Sequence, residues 1–193
     1  MIFDRKFPPL KVELPDWVTE RVEQRDVCAT MDERVQLAIE LAHENVTRGT
    51  GGPFGAAIFE SESGRIVAAG VNLVVPSNNC VLHAEVVAFM FAQARVGSYS
   101  LAGAGMPAHE MATSCEPCAM CLGATLWSGV KRLVYAATRE DAASVNFDEG
   151  PVFPESYAYL LERGVEVVGG VRRAEGRAVL ELYGRTGGVI YNG

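Results

Sequence analysis

His83-Ala84-Glu85, and further along the chain Thr113-Ser114-Cys115-Glu116-Pro117-Cys118-Ala119-Met120-Cys121, decide how this sequence is read. One histidine and a Cys-x-x-Cys pair supply three ligands of the kind zinc prefers, and a carboxylate stands two positions from the histidine. The combination carries the signal. A Cys-x-x-Cys pair alone is shared by redox motifs and structural zinc knuckles, and a lone histidine is usually not a ligand. A His-x-Glu upstream and a proline before the first cysteine give each element a separate role and disfavour a purely structural site.

Working outward, hydrophobic periodicity predicts a helix from about His83 to Val96 and another from Cys118 to Trp127, so both motifs fall at helix starts. Pro117 suits a first helical turn. Two positive helix ends can converge on one point and favour thiolates at Cys118 and Cys121, whose spacing of three puts both sulfurs on one helix face. Upstream, Thr30 and Glu33 form a capping box for a helix with the apolar stripe Val35, Ile39, Ala42 and Val46, ended by Gly49, with His43 facing solvent. Phe54 to Glu60 and Arg65 to Val75 read as a hairpin turning at Ser61-Glu62-Ser63-Gly64, the second strand stopped by Pro76. Strands at His109 to Thr113, Arg132 to Ala136 and Val165 to Val168 follow, with a helix from Glu155 to Arg163. The expected fold is α/β, a three-layer α/β/α sandwich with a mixed sheet of about five strands. Residues 1–29, with Pro8, Pro9 and Pro15, read as an arm over a core domain of residues 30–170, and residues 171–193 as a C-terminal segment.

At 193 residues the chain suits one domain, and a formal charge of -7 disfavours a surface made for phosphate backbone. The one compact basic cluster, Arg172, Arg173 and Arg177, reads as a solvated helix or strand end. No stretch is long and apolar enough to span a membrane, and the start Met1-Ile2-Phe3-Asp4-Arg5-Lys6 lacks a secretory core, so a cytoplasmic protein is expected. Five cysteines leave no complete disulfide scheme, and the isolated Cys28 and Cys80 read as buried thiols.

Three ligands leave a fourth zinc position for water, whose pKa falls to about 7 on the metal, and Glu85 is placed to carry protons between that water and a substrate nitrogen. The chemistry implied is hydrolytic replacement of an amine by a carbonyl. A fourth ligand from Cys115 would close the site, but Cys115 precedes the helix and lies before a proline, so the expected metal set is His83, Cys118 and Cys121. Gly51-Gly52 is no phosphate loop, because the lysine and the following Ser or Thr are missing. The N–H of Ala84 at a helix start is a candidate donor to a substrate carbonyl oxygen.

Gly51-Gly52-Pro53-Phe54-Gly55-Ala56, His83-Ala84-Glu85, the run from Thr113 to Ala124 and Phe147-Asp148-Glu149 resemble the cytidine deaminase-like superfamily, and within it the bacterial guanine deaminases. The likeness spans about residues 31–168. It is close to the branch that also accepts the s-triazine ammeline, in which the ending Gly188-Val189-Ile190-Tyr191-Asn192 is familiar too. The resemblance implies Zn2+ as cofactor, catalysis by Glu85 and a second proton carrier at Glu149, although by composition Asp148-Glu149-Gly150-Pro151 is an acidic turn. It also implies that Asn72 hydrogen-bonds the purine and that Phe54 packs on the base opposite the His83 ring. The C-terminal segment is expected to cross to a partner in a homodimer, with Tyr191 near the substrate; a tyrosine packed on its own domain is the alternative. The expected activity is conversion of guanine to xanthine and ammonia, on a small-molecule purine or s-triazine, with no membrane and no nucleic acid as partner. Competing readings are a guanosine deaminase, a tRNA adenosine deaminase, against which the acidic charge speaks, and a noncatalytic zinc-stabilised interaction module.

Overall fold

The computed structural model describes residues 7–192; the reading that the chain start lacks a secretory segment falls on residues 1–6, outside the described ones. Helices α1 (Asp16–Glu23) and α2 (Met31–Thr47) precede the hairpin β1 (Gly55–Glu60) and β2 (Ile66–Val71). A short α3 (Val74–Ser77) and α4 (Ala84–Val96) lead to β3 (His109–Cys115), α5 (Ala119–Ser128) and β4 (Arg132–Ala137). The chain continues through α6 (Arg139–Ala143), α7 (Pro154–Glu162), β5 (Glu166–Val168) and α8 (Arg173–Arg185).

The strands form one mixed sheet in the order β2-β1-β3-β4-β5, with β1 antiparallel to both neighbours and β3, β4 and β5 parallel. Because side chains alternate across a strand, β1 feeds two cores. Ala56 and Ile58 pack with Ala88 and Phe89 of α4 and Leu122 of α5, whereas Ala57 and Phe59 pack with Leu37 and Leu41 of α2, Val18 of α1 and Val179 of α8. Those two faces make the three layers expected from the sequence.

Register then brings the functional segments to one end of the sheet. Gly55 pairs with Val71, Ala56 with Thr113, and Cys115 with Ala137. Phe54, Asn72, Glu116 to Cys118 and Thr138 therefore all leave the strands at the same edge, outside the carboxyl ends of the parallel pair β3 and β4, where open α/β sheets hold their ligands.

Several expectations need correction. The second strand ends at Val71, not Val75, and Pro76 lies within the helical turn α3 instead of stopping a strand. A short apolar run does not distinguish buried strand from buried helix by periodicity. Cys80 is exposed rather than buried, since it sits in the loop between α3 and α4; Cys28 is buried as expected. Cys118 caps α5 instead of opening it, which leaves Pro117 outside the helix. The arm of residues 1–29 contains α1, whose Trp17 and Val18 reach the core, and the segment 171–193 contains α8. The basic cluster lies at the start of α8 with each cation paired: Arg172 with Asp32 and Glu175, Arg173 with Asp141, Arg177 with Glu181. Among the described residues no helix is long and apolar enough to cross a membrane.

Candidate active site

Two helix starts meet at the end of the sheet. His83 caps α4 and Cys118 caps α5, each in extended backbone, while Glu85 and Cys121 lie in the first turns behind them. The capping positions use no side-chain hydrogen bond to their helix, so the imidazole and the thiol remain available for one another: Cys118 Sγ lies 3.5 Å from His83 Nδ1. Ligand atoms of His83, Cys118 and Cys121 all lie within 4.8 Å of one another. Tetrahedral zinc, with bonds of about 2.0 Å to nitrogen and 2.3 Å to sulfur, separates its ligands by roughly 3.5 to 4 Å, so the donor set fits the ion in type and in spacing.

The sulfurs are polarised. The hydrogen bond from Cys121, with a further one from His83, lowers the Cys118 thiol to about 4, and the same contact with Cys118, together with burial, pushes Cys121 up. Cys115 stands apart from the cluster. It is buried at the end of β3 with its Sγ on the Thr138 carbonyl at 3.7 Å, and burial pushes its thiol up. Cys115→Ser is accordingly expected to keep one zinc per chain and near wild-type turnover; loss of the metal on elemental analysis would place Cys115 in the ligand set.

Glu85, Glu116, Asp148 and Glu149 line the cleft with Phe54, His83, Phe147 and Tyr191, and two of the four carboxyls, Glu85 and Glu149, are displaced upward in pKa. Glu85 is buried, and burial followed by the negative charge of Cys118 raises its pKa. Burial, then Cys118 and Glu85, raise Glu149 to about 8. Carboxyls displaced upward can hold and return a proton near neutrality, which is what general acid–base work requires. A wider surface cleft lies at Asp26, Arg65, Arg95 and Pro107, but it contains none of these groups.

The walls are aromatic. Phe54 meets Phe147 edge-on at 5.1 Å, and Phe147 stacks on Tyr183 at 6.0 Å. Tyr191, from the chain's own tail, packs against Phe147 at 5.2 Å and the His83 ring at 6.3 Å. Its hydroxyl reaches the niche over Gly52, next to the Asn72 amide, where a Cβ would strike both. The Tyr191 hydroxyl and Asn72 Nδ2 are buried without a partner among the described residues. A donor in that state costs about 1–3 kcal/mol, recovered when a ligand supplies the acceptor. Ala84 is the first residue of α4, where backbone N–H groups have no partner inside the helix.

Residue types alone did not mark the groups that hold these parts in place. Phe147 figures in the sequence only as a neighbour of Glu149, yet it contacts three aromatic rings. Glu116, directly before Pro117, accepts from Arg139 Nε at 2.9 Å and from the Tyr157 hydroxyl, and Arg139 also donates to the Val152 carbonyl at 2.8 Å. That ties the Cys118 segment to the loop bearing Glu149. The Glu149 carbonyl itself accepts from Ala119 N at 2.9 Å, at the start of α5.

A donor set of one nitrogen and two sulfurs that fits a metal, beside two carboxyls raised in pKa in a polar and aromatic cleft, suits hydrolysis at a carbon bearing an amine, the chemistry of the zinc-dependent deaminases as a class. Residues 29–137 match the family model of the cytidine and deoxycytidylate deaminase zinc-binding region, and the chain belongs to that family. It is 44% identical over 121 residues to the guanine deaminase of Bacillus subtilis, covering 63% of this chain and 73% of that one. Among solved structures, the guanine deaminase from Nitrosomonas europaea is similar with a TM-score of 0.88 and 38% identity, over 94% of this chain and all of that one (100%). The protein NE0047, solved in complex with 2,6-diaminopurine, gives a TM-score of 0.88 and 41% identity over 94% of this chain and 96% of its own.

Proposed function

We propose that this protein hydrolyses guanine to xanthine and ammonia. The observation that carries the purine reading is Glu149: a second, mostly buried carboxyl with an elevated pKa shares the cleft with Glu85. The amino-bearing carbon of guanine lies between two ring nitrogens, so two proton carriers have work there. The likeness to guanine deaminases across nearly the whole chain supports the same reading.

His83, Cys118 and Cys121 would hold zinc, which when bound makes water a nucleophile near neutral pH. Glu85 accepts a proton from the attacking water as its oxygen bonds to the ring carbon, and passes that proton to an adjacent ring nitrogen. Glu149 serves the ring nitrogen on the other side of that carbon. The carbon–nitrogen bond breaks as the remaining hydroxyl proton reaches the amine; ammonia leaves and a carbonyl remains. Phe54 and the His83 ring sandwich the base, Asn72 donates to it through Nδ2, and the Ala84 N–H donates to its carbonyl oxygen. Tyr191 closes the cleft. The same reading extends to ammeline as a side substrate and to a homodimer, with Tyr191 packed on its own domain rather than exchanged.

An ammonia-release screen against guanine, guanosine, adenine, cytosine and ammeline tests this. Guanine is expected to turn over fastest; release from cytosine alone would overturn the purine reading.

A further inference from the structure

Asn45 lies in the last turn of α2, outside the cleft and fully buried. All of its side-chain polar groups are engaged. Nδ2 donates to the Gly52 carbonyl at 2.8 Å and to the Asn72 carbonyl at 2.9 Å, and Oδ1 accepts from Thr50 Oγ1 at 2.7 Å. The opposite amide orientation would set Oδ1 against two carbonyl oxygens, so one orientation alone satisfies every partner. Thr50 Oγ1, its proton committed to Asn45, accepts from Trp17 Nε1 at 3.3 Å, and Trp17 lies beneath the Arg48 guanidinium at 5.5 Å.

The two carbonyls so joined belong to the segments that hold the base. Gly52 precedes Phe54 by two residues, and Asn72 N donates to the Phe54 carbonyl at 3.0 Å. Gly51 runs so close to Asn72 that a Cβ there would collide with the Asn72 carbonyl and with Asn45 Nδ2. The backbone of Asn72 is thus fixed by Asn45 while its side-chain Nδ2 is left for a ligand.

We propose that Asn45, oriented by Thr50, is a positioning residue for substrate binding that sets the place of Asn72 and Phe54 from behind; this rests on the reading of Asn72 as a purine contact. Through Trp17, helix α1 of the N-terminal arm braces the same relay. A fully satisfied buried network is rigid, and displacing a binding group by about 1 Å can cost as much as 10²-fold.

The test uses the full-length zinc enzyme and the variants Asn45→Ala, Thr50→Val, Asn72→Ala and the double variant Asn45→Ala/Asn72→Ala. Affinity for 8-azaguanine is read by calorimetry, with kcat and KM for guanine, zinc per chain and Tm alongside. Asn45→Ala is expected to weaken 8-azaguanine binding at least about tenfold and to raise KM in proportion, with zinc content unchanged. Asn72→Ala loses as much or more, and the double variant is no worse than Asn72→Ala. Thr50→Val, isosteric at a half-buried position, folds and reproduces part of the loss, which keeps the test decisive should Asn45→Ala not fold. Binding within about twofold of wild type in Asn45→Ala, or in Thr50→Val where only that variant folds, beside a loss in Asn72→Ala, overturns the positioning role. So does a full additive loss in the double variant. Normal binding by Asn72→Ala would instead sink the purine contact itself, and this proposal with it.

Discussion

Glu85→Gln is expected to bind its zinc and to lose at least about 10²- to 10⁴-fold in turnover, the range typical of general acid–base groups. Glutamine keeps the size of glutamate and its place in the first turn of α4, where the side chain is almost wholly buried. It cannot accept a proton from water and hand it on. The cluster placed to hold the metal is His83, Cys118 and Cys121 and does not include Glu85, so zinc content measured by elemental analysis should remain at the wild-type value while kcat collapses. Near-normal ammonia release by the zinc-loaded variant would remove Glu85 from the mechanism.

The second large effect is expected at Glu149. Glu149→Gln should lower kcat for guanine by about 10²-fold or more with zinc still bound, because in the proposed mechanism the substrate loses the proton carrier on one side of its amino carbon. The loop stays in place without the carboxyl. Its anchors are backbone and neighbouring groups: the Glu149 carbonyl on Ala119 N, the Gly150 N–H on Asp148 Oδ1 at 2.9 Å, and Arg139 on the Val152 carbonyl. A lost rate therefore reports chemistry and not collapse of the turn. An unchanged rate would return Glu149 to the acidic surface turn that composition suggests.

The parts of this molecule legible from sequence were those written in short local rules. Thr30 and Glu33 do form a capping box, with hydrogen bonds of 3.2 and 3.0 Å, and a strand lies at each of the five places where apolar runs predict one. The clustering of His83, Cys118 and Cys121 was legible for the same reason, since a helix start fixes the geometry of His-x-Glu and of Pro-Cys-x-x-Cys within a few residues. Helix α8 was not, because the glycines at 176 and 184 lower the local helix propensity of this stretch. Gly176 in fact lies where a Cβ would meet the Ser114 carbonyl and Ala136, so it serves close packing on the sheet. Helix α1, eight residues long behind Pro15, is too short for a periodic signal. Behind the cleft, Asn45 had one faint mark, an amide beside the apolar stripe of α2. Its partners Gly52 and Asn72 are set only once the sheet is assembled, and no spacing rule reaches across 27 residues to find them.

The contact between His83 and Cys118 joins positions 35 apart, with helix α4 and strand β3 between them. An unfolded chain can still present Cys118 and Cys121 as a local pair, but it meets a large loop-closure cost to bring the imidazole to the same point. Zinc then distinguishes native from denatured chains by affinity, and mass action converts that difference into folding free energy, about 4 kcal/mol at a free-ion concentration a thousandfold above Kd. The ion would thus act as a thermodynamic clasp between α4 and α5, and the availability of zinc would govern how much folded protein exists as well as how much is active.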